Sequence, residues 1–196
     1  MRFVVASMNP DKLRELEELL EGRMSLVGLR DFPGASSPVE SGATLLDNAR
    51  TKALAAVRFT GLPAIADDTG LEVDALGGRP GLLASRFAGP RASYAENVAR
   101  LLAELSGVPA ERRTARFRTA CVACFPDGAE AVGEGVLEGR IAEQRRGQEG
   151  FGYDPVFELP ELGRTLAELS PQEKSQRSHR ARAVQALLVA LAPRTL

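Results

Sequence analysis

The chain has 196 residues, 44% hydrophobic and 26% charged, with a formal net charge of −1. With these fractions disorder is not the default, and the near-balance of charge does not suggest long-range attraction to nucleic acid polymers or anionic membrane, leaving room only for a local basic pocket. One well-buried domain over residues 1–196 is expected, in the cytoplasm, because no run approaches the roughly 18 apolar residues of a membrane span and no signal-peptide pattern opens the sequence.

Residues Met1 to Ala6 predict a buried strand, followed directly by Ser7-Met8-Asn9-Pro10-Asp11-Lys12. Asn9 suits an N-cap, Pro10 the first helical position and Asp11 the positive end of the dipole, and Leu13, Leu16, Leu19 and Leu20 repeat at helical spacing. This segment is either a plain β-to-α connection or an anion site. In the second reading, amides of the helix start, the Ser7 hydroxyl and the Lys12 ammonium face a phosphate. The glycines and the ending of a Walker loop are missing. Lys12 also stands out by scarcity: of 25 basic residues only Lys12, Lys52 and Lys174 are lysine, and each points to a position that wants a compact charge.

From about Val27 to Gly42 the pattern is irregular, and Glu40 there is either a metal ligand or a solvated loop charge. Thr44 to Phe59 predicts a helix, capped by Thr44 and stopped by Gly61. Asn48 and Lys52 share one of its faces, which either points into a cleft or is solvated, the second being expected. The next strand, from Ala64, ends in Asp67-Asp68-Thr69-Gly70. Neighbouring strand side chains face opposite ways, so the two carboxylates cannot share one apolar face. Two readings stay open, a surface turn and a hard-metal site for Mg²⁺ with substrate phosphates.

Gly77 to Gly81 is too glycine-rich for regular structure, and Ser93 to Glu96 is a capping box opening a helix. Strands at Ala115 to Phe125 and Glu130 to Leu137 flank the turn signal Pro126-Asp-Gly128. Cys121 and Cys124, three apart on a strand, face opposite ways, which favours two small core residues over a redox or zinc pair. Parallel and antiparallel elements together predict an α/β fold with a mixed sheet and flanking helices. Gly147 to Pro155 places Phe151, Gly152, Tyr153 and Asp154 on a glycine-rich loop, either as anchors of a tight turn or as stacking and hydrogen-bonding groups for a base. A second capping box at Ser170 to Glu173 opens a single predicted helix carrying Lys174, then Ser178-His179-Arg180, then an apolar stripe. Those donors lack acidic partners on their own helix apart from Glu173.

Taken in order, Ser7 to Lys12, Glu40-Ser-Gly42 with Asn48 to Lys52, Ile65 to Gly70, Leu76 to Gly81, Phe151 to Pro155, Glu173-Lys-Ser175 and Ser178 to Arg180 resemble the inosine triphosphate pyrophosphatase family over nearly the whole chain. The resemblance implies an elongated, two-lobed single domain with a central cleft, usually a homodimer. It also implies Mg²⁺-dependent cleavage of ITP, dITP or XTP to the monophosphate and pyrophosphate. Carried over, Ser7, Met8, Asn9, Pro10, Asp11 and Lys12 would hold phosphates with Lys174, and Thr69 would touch substrate. Asp68 would be the catalytic carboxylate, with Asp67 beside it. Metal ligands would be Asp68 and Glu40, the latter next to Val39, where the family commonly places its glutamate. Phe151 to Asp154 would cradle the base, with His179 and Arg180 donating to its 6-oxo oxygen. A pyrophosphatase for modified pyrimidines and a nucleotide-binding module without turnover are the alternatives.

Overall fold

The computed structural model describes residues 2–20, 22–36, 38 and 41–192. Glu40, expected as a metal ligand, and Val39 lie outside the described residues. The chain adopts the expected α/β class, and it divides into two compact units: Met1–Asp68, Thr119–Gly135 and His179–Leu196 form the first, Thr69–Arg118 and Val136–Ser178 the second. Among the described residues no helix is long and apolar enough to cross a membrane.

In the first unit, strand β1 (Arg2–Val5) pairs in parallel with β2 (Ser25–Gly28) on one side and β3 (Ala64–Val73) on the other, followed by β5 (Thr114–Cys124) and β6 (Glu130–Ile141). Helix α1 (Pro10–Leu20) opens where the sequence predicts, with Asn9 Oδ1 accepting from the Asp11 amide at 2.9 Å. Helix α2 (Leu45–Thr60) is capped by Thr44, which accepts from the Asp47 amide, and stopped by Gly61 in the left-handed conformation. Strand β2 falls where an irregular stretch was expected from Val27.

Strand alternation divides the apolar residues between two layers. Phe3, Val5, Ile65, Cys121 and Ala123 pack with Leu16 and Leu20 of α1 and with Ala183, Val184 and Leu187 of α5 (His179–Leu191). The intervening Val4, Ala6, Ala64, Ala66, Val122 and Cys124 pack with Ala49, Ala53, Ala56 and Val57 of α2. The cysteines thus face opposite layers as expected; burial raises both thiol pKa values, Cys124 to about 11.

In the second unit, β4 (Pro80–Gly81) pairs antiparallel with β3, and β7 (Phe157–Leu159) and β8 (Arg164–Thr165) extend the sheet beyond β6. The Gly77 to Gly81 segment is therefore more regular than its glycines suggest. Helix α3 (Tyr94–Glu104) begins at the Ser93–Glu96 capping box and buries Val98 and Leu101 against Leu71, Val73, Phe117 and Phe157. Arg113 closes its far end, donating to the Leu105 and Val108 carbonyls at 2.8 Å.

The single helix expected after Ser170 is two: α4 (Pro171–Ser175) and α5. The chain turns between them because the Arg177 and Ser178 amides both donate to the Lys174 carbonyl, at 3.0 and 2.9 Å. This break restarts a helix at His179.

Helix α5 lies on β6 with no space for side chains between their backbones. A Cβ on Gly135 would stand 2.1 Å from the His179 carbonyl oxygen, and one on Gly133 would stand 2.2 Å from that of Ala183. The glycines of β6 thereby set the height at which His179 and Arg180 enter the unit. Gly135→Ala is expected to destabilise the protein by at least about 2 kcal/mol through overpacking against backbone, read from the urea midpoint at unchanged m-value.

Candidate functional site

Strand β3 does not end at Asp67-Asp68; it runs through them to Val73, and both carboxylates are buried. The turn reading is corrected for a reason the sequence cannot display: each carboxylate meets its cation from a different side of the sheet. Asp67 continues the parity of Ile65 and meets α1 and α5. Asp68 continues that of Ala64 and Ala66 and meets α2.

Asp67 Oδ2 lies 3.1 Å from Lys12 Nζ, and it accepts from Arg180 Nε and Nη2 at 3.1 and 3.0 Å. Arg180 Nη1 donates to Glu15 of α1. Burial alone would raise the Asp67 pKa, but Lys12, Arg180 and Lys52 together hold it well below the usual carboxylate range. Lys12 is shifted the other way from a surface lysine: burial lowers its pKa more than Asp67 restores it, and Lys52 and Arg180 add repulsion.

On the opposite side, Asp68 Oδ1 accepts from Lys52 Nζ at 2.9 Å and Oδ2 from Asn48 Nδ2 at 3.2 Å. Asn48 and Lys52, expected on a solvated face, are 2% and 7% exposed. Helical spacing had put them side by side but could not say which side of the helix met a buried acid. Three cations, Lys12, Lys52 and Arg180, thus stand among three carboxylates, Asp67, Asp68 and Glu15, within the first unit.

The segment before α1 folds on itself. The Ser7 hydroxyl accepts from the Asn9 amide at 3.1 Å, Met8 is exposed with its carbonyl accepting from Arg30 at 3.0 Å, and Asp11 pairs with Arg14 at 2.9 Å. Pro10 is the first helical residue. At the start of α5, buried His179 has its Nδ1 2.6 Å from Thr119 Oγ1 on β5.

The second unit holds the other candidate residues. Thr69 is half-buried on β3. Tyr153 is 5% exposed within the apolar core, its hydroxyl donating to the Ala84 carbonyl at 2.8 Å. Of the two readings of its glycine-rich loop, core packing explains this aromatic as an anchor. Phe151 remains half-buried, its ring 5.8 Å from that of Tyr94 and 5.1 Å from Lys174 Nζ. Asp154 Oδ2 accepts from Lys174 Nζ at 2.8 Å and from the Phe151 amide at 2.9 Å. Gly152 adopts a positive φ of 65°.

Glu15, Thr119, Asn48 and Lys52 join the candidates named from sequence. Glu15 carried a signal, lying three residues after Lys12 and hence on the same helix face. Lys52 carried one in the scarcity of lysine. Thr119 carried none.

Among the described residues no group of three or more His, Cys, Asp or Glu side chains is placed to hold a metal ion. A hard divalent cation would fit here on Asp68 together with phosphate oxygens of a ligand, the arrangement Mg²⁺ ordinarily takes, rather than in a cage made by the protein alone.

A sequence model of the Ham1 family matches residues 3–190. A dITP/XTP pyrophosphatase of Geobacillus kaustophilus is 51% identical over 183 residues, covering 93% of this chain and 90% of that protein. The solved structure of the Staphylococcus aureus Ham1 protein superposes with a TM-score of 0.86 at 34% identity, over 99% of this chain and 100% of that one. A nucleoside-triphosphatase / dITP/XTP pyrophosphatase from Mycobacterium abscessus superposes with a TM-score of 0.75 at 49% identity, over 96% and 99%.

The Asp67 environment makes a stability prediction whose sign is fixed by its lowered pKa. The unfolded carboxyl titrates near 3.8, so its contribution is complete above about pH 4 and is lost as the pH falls toward the folded value. Asp67→Asn is expected to cost about 3 kcal/mol at pH 7, leaving buried cations without their acid, and to show a shallower loss of stability than the parent below pH 4. Urea unfolding at pH 7 and at pH 3 checks both.

Proposed function

This chain belongs to the Ham1 family, and we propose that it is a hydrolase of deaminated purine nucleoside triphosphates, dITP, XTP and ITP, releasing the monophosphate and pyrophosphate with Mg²⁺. The observation that carries the reading is Asp68: a buried carboxylate held by Lys52 and Asn48, back to back on one strand with an Asp67 that holds Lys12 and Arg180.

In this reading the triphosphate meets the positive end of the α1 dipole, with Ser7 and Lys12 beside it. Asp68 accepts the proton of the attacking water, and Lys52, 2.9 Å from its Oδ1, adds positive charge where the transition state gathers negative charge. Mg²⁺, when bound, supplies charge neutralisation and alignment of phosphate oxygens against Asp68. Glu40 enters as a second ligand on the resemblance alone, as do Thr69, Phe151, Gly152, Tyr153, Asp154 and Lys174 as substrate contacts and homodimer formation. Selectivity follows from donors at the purine 6-position. A tautomer protonated at Nε2, with Nδ1 accepting from the Thr119 hydroxyl 2.6 Å away, would make Nε2 such a donor. A 6-oxo group accepts from such a donor, whereas the 6-amino group of adenine meets it donor to donor and leaves buried polar groups unsatisfied.

Pyrophosphate release from dITP, XTP, ITP, GTP, ATP and dUTP, each with Mg²⁺ and with chelator, tests the proposal. Metal-dependent release is expected from dITP, XTP and ITP, with ATP poor. Binding without release would make the chain a nucleotide-binding module, and preference for dUTP would move it to pyrimidines. Asp68→Asn is expected to lower kcat by about 10²- to 10⁴-fold, the range of a lost general base, with the thermal midpoint retained. Full turnover in that variant would remove Asp68 from the chemistry.

A further inference from the structure

Asn48 is 2% exposed and uses both ends of its carboxamide. Nδ2 donates to Asp68 Oδ2 at 3.2 Å, and Oδ1 accepts from the Gly42 amide at 2.8 Å. The chemistry of its partners fixes which end is which, since a carboxylate only accepts and a backbone N–H only donates. Gly42 can come this close only because it has no side chain: a Cβ there would lie 2.7 Å from Asn48 Oδ1 and 2.7 Å from Asp47 Cβ.

We propose that Asn48 is a positioning residue that fixes the plane of the Asp68 carboxylate for turnover by clamping it to the Gly42 backbone. The proposal rests on the reading of Asp68 as the catalytic carboxylate. Lys52 holds the other oxygen, but through a long, flexible stem and a point charge that tolerates rotation of its partner. Asn48 has a short side chain, is fixed at its far end by backbone, and approaches from a buried helix turn. It thereby decides which lone pairs of Asp68 face outward. Other residue types fail for separate reasons. Aspartate would set a second negative charge against Asp68, glutamine adds a methylene to a close-packed contact, and leucine has the volume but neither hydrogen bond.

The test compares Asn48→Leu, Gly42→Ala and the double variant with the parent, measuring kcat and KM for dITP with Mg²⁺, the thermal midpoint, and exchange of the Gly42 amide proton. Asn48→Leu is expected to lower kcat by about 10- to 100-fold, as loss of a group that orients a catalytic ligand does, with KM little changed. Its Gly42 amide is expected to exchange about fivefold faster, one ordinary hydrogen bond having been lost. Gly42→Ala displaces the same carboxamide without deleting it, so it is expected to lower kcat in the same direction, and the double variant is expected to be no worse than Asn48→Leu, since the two changes break one linkage. If Asn48→Leu does not fold, Gly42→Ala carries the test, and full kcat there overturns the role. With an active parent, undiminished kcat, a loss borne by KM alone, or additive losses overturn the positioning role and leave the pyrophosphatase reading standing. A parent inactive on dITP overturns that reading first, and the positioning role with it.

Discussion

Two adjacent acids on one strand must face opposite sides of the sheet, and in this protein both are buried. That constraint organises the first unit. Asp67 turns toward α1 and α5, which supply Lys12 and Arg180; Asp68 turns toward α2, which supplies Lys52 and Asn48. An isolated carboxylate in either layer would be protonated or would unfold the strand, since an unpaired buried charge is among the costliest groups a core can hold. The strand pleat thus dictates that cations arrive from three helices, and the helices are placed accordingly.

Close packing on both sides of the sheet then follows from residue size. Helix α2 meets the strands through Ala49, Ala53 and Ala56, and α5 lies on the glycines of β6. Larger residues would lift each helix and carry Lys52 or Arg180 out of reach of its acid. The apolar core here does more than exclude water: its small side chains set the lengths of the polar contacts that converge on β3.

Much of this was legible in the chain. The start of α1 at Asn9-Pro10, the caps of α2, the opening of α3 at Ser93, the turn at Pro126 to Gly128 and the opposed cysteines are local matters of capping, turn chemistry and alternation. Failures came where long-range satisfaction overrode local preference. Asp-Asp-Thr-Gly has the composition of a turn, yet β3 continues because ammonium and guanidinium groups distant in sequence pair with its acids. Asn48 and Lys52 looked like a solvated helix face for the same reason. Tyr153 was open between a turn anchor and a base-stacking group, because the carbonyl of Ala84 that receives its hydroxyl is far away in the chain. The break between α4 and α5 had no proline or glycine to mark it.

The pairing of Asp67 with Arg180 joins residues 113 positions apart, and the first unit draws on three separate lengths of chain. Such non-local closure slows folding, because loop entropy is lost before the contacts that reward it are made. It also fixes an order during synthesis. Strand β3 and helix α1 leave the ribosome long before α5, so Asp67 and Lys12 pass an interval without Arg180. The interior of the first unit dries only when its last helix docks, and the carboxylate that attracts Arg180 into place is the one that could not have been buried without it.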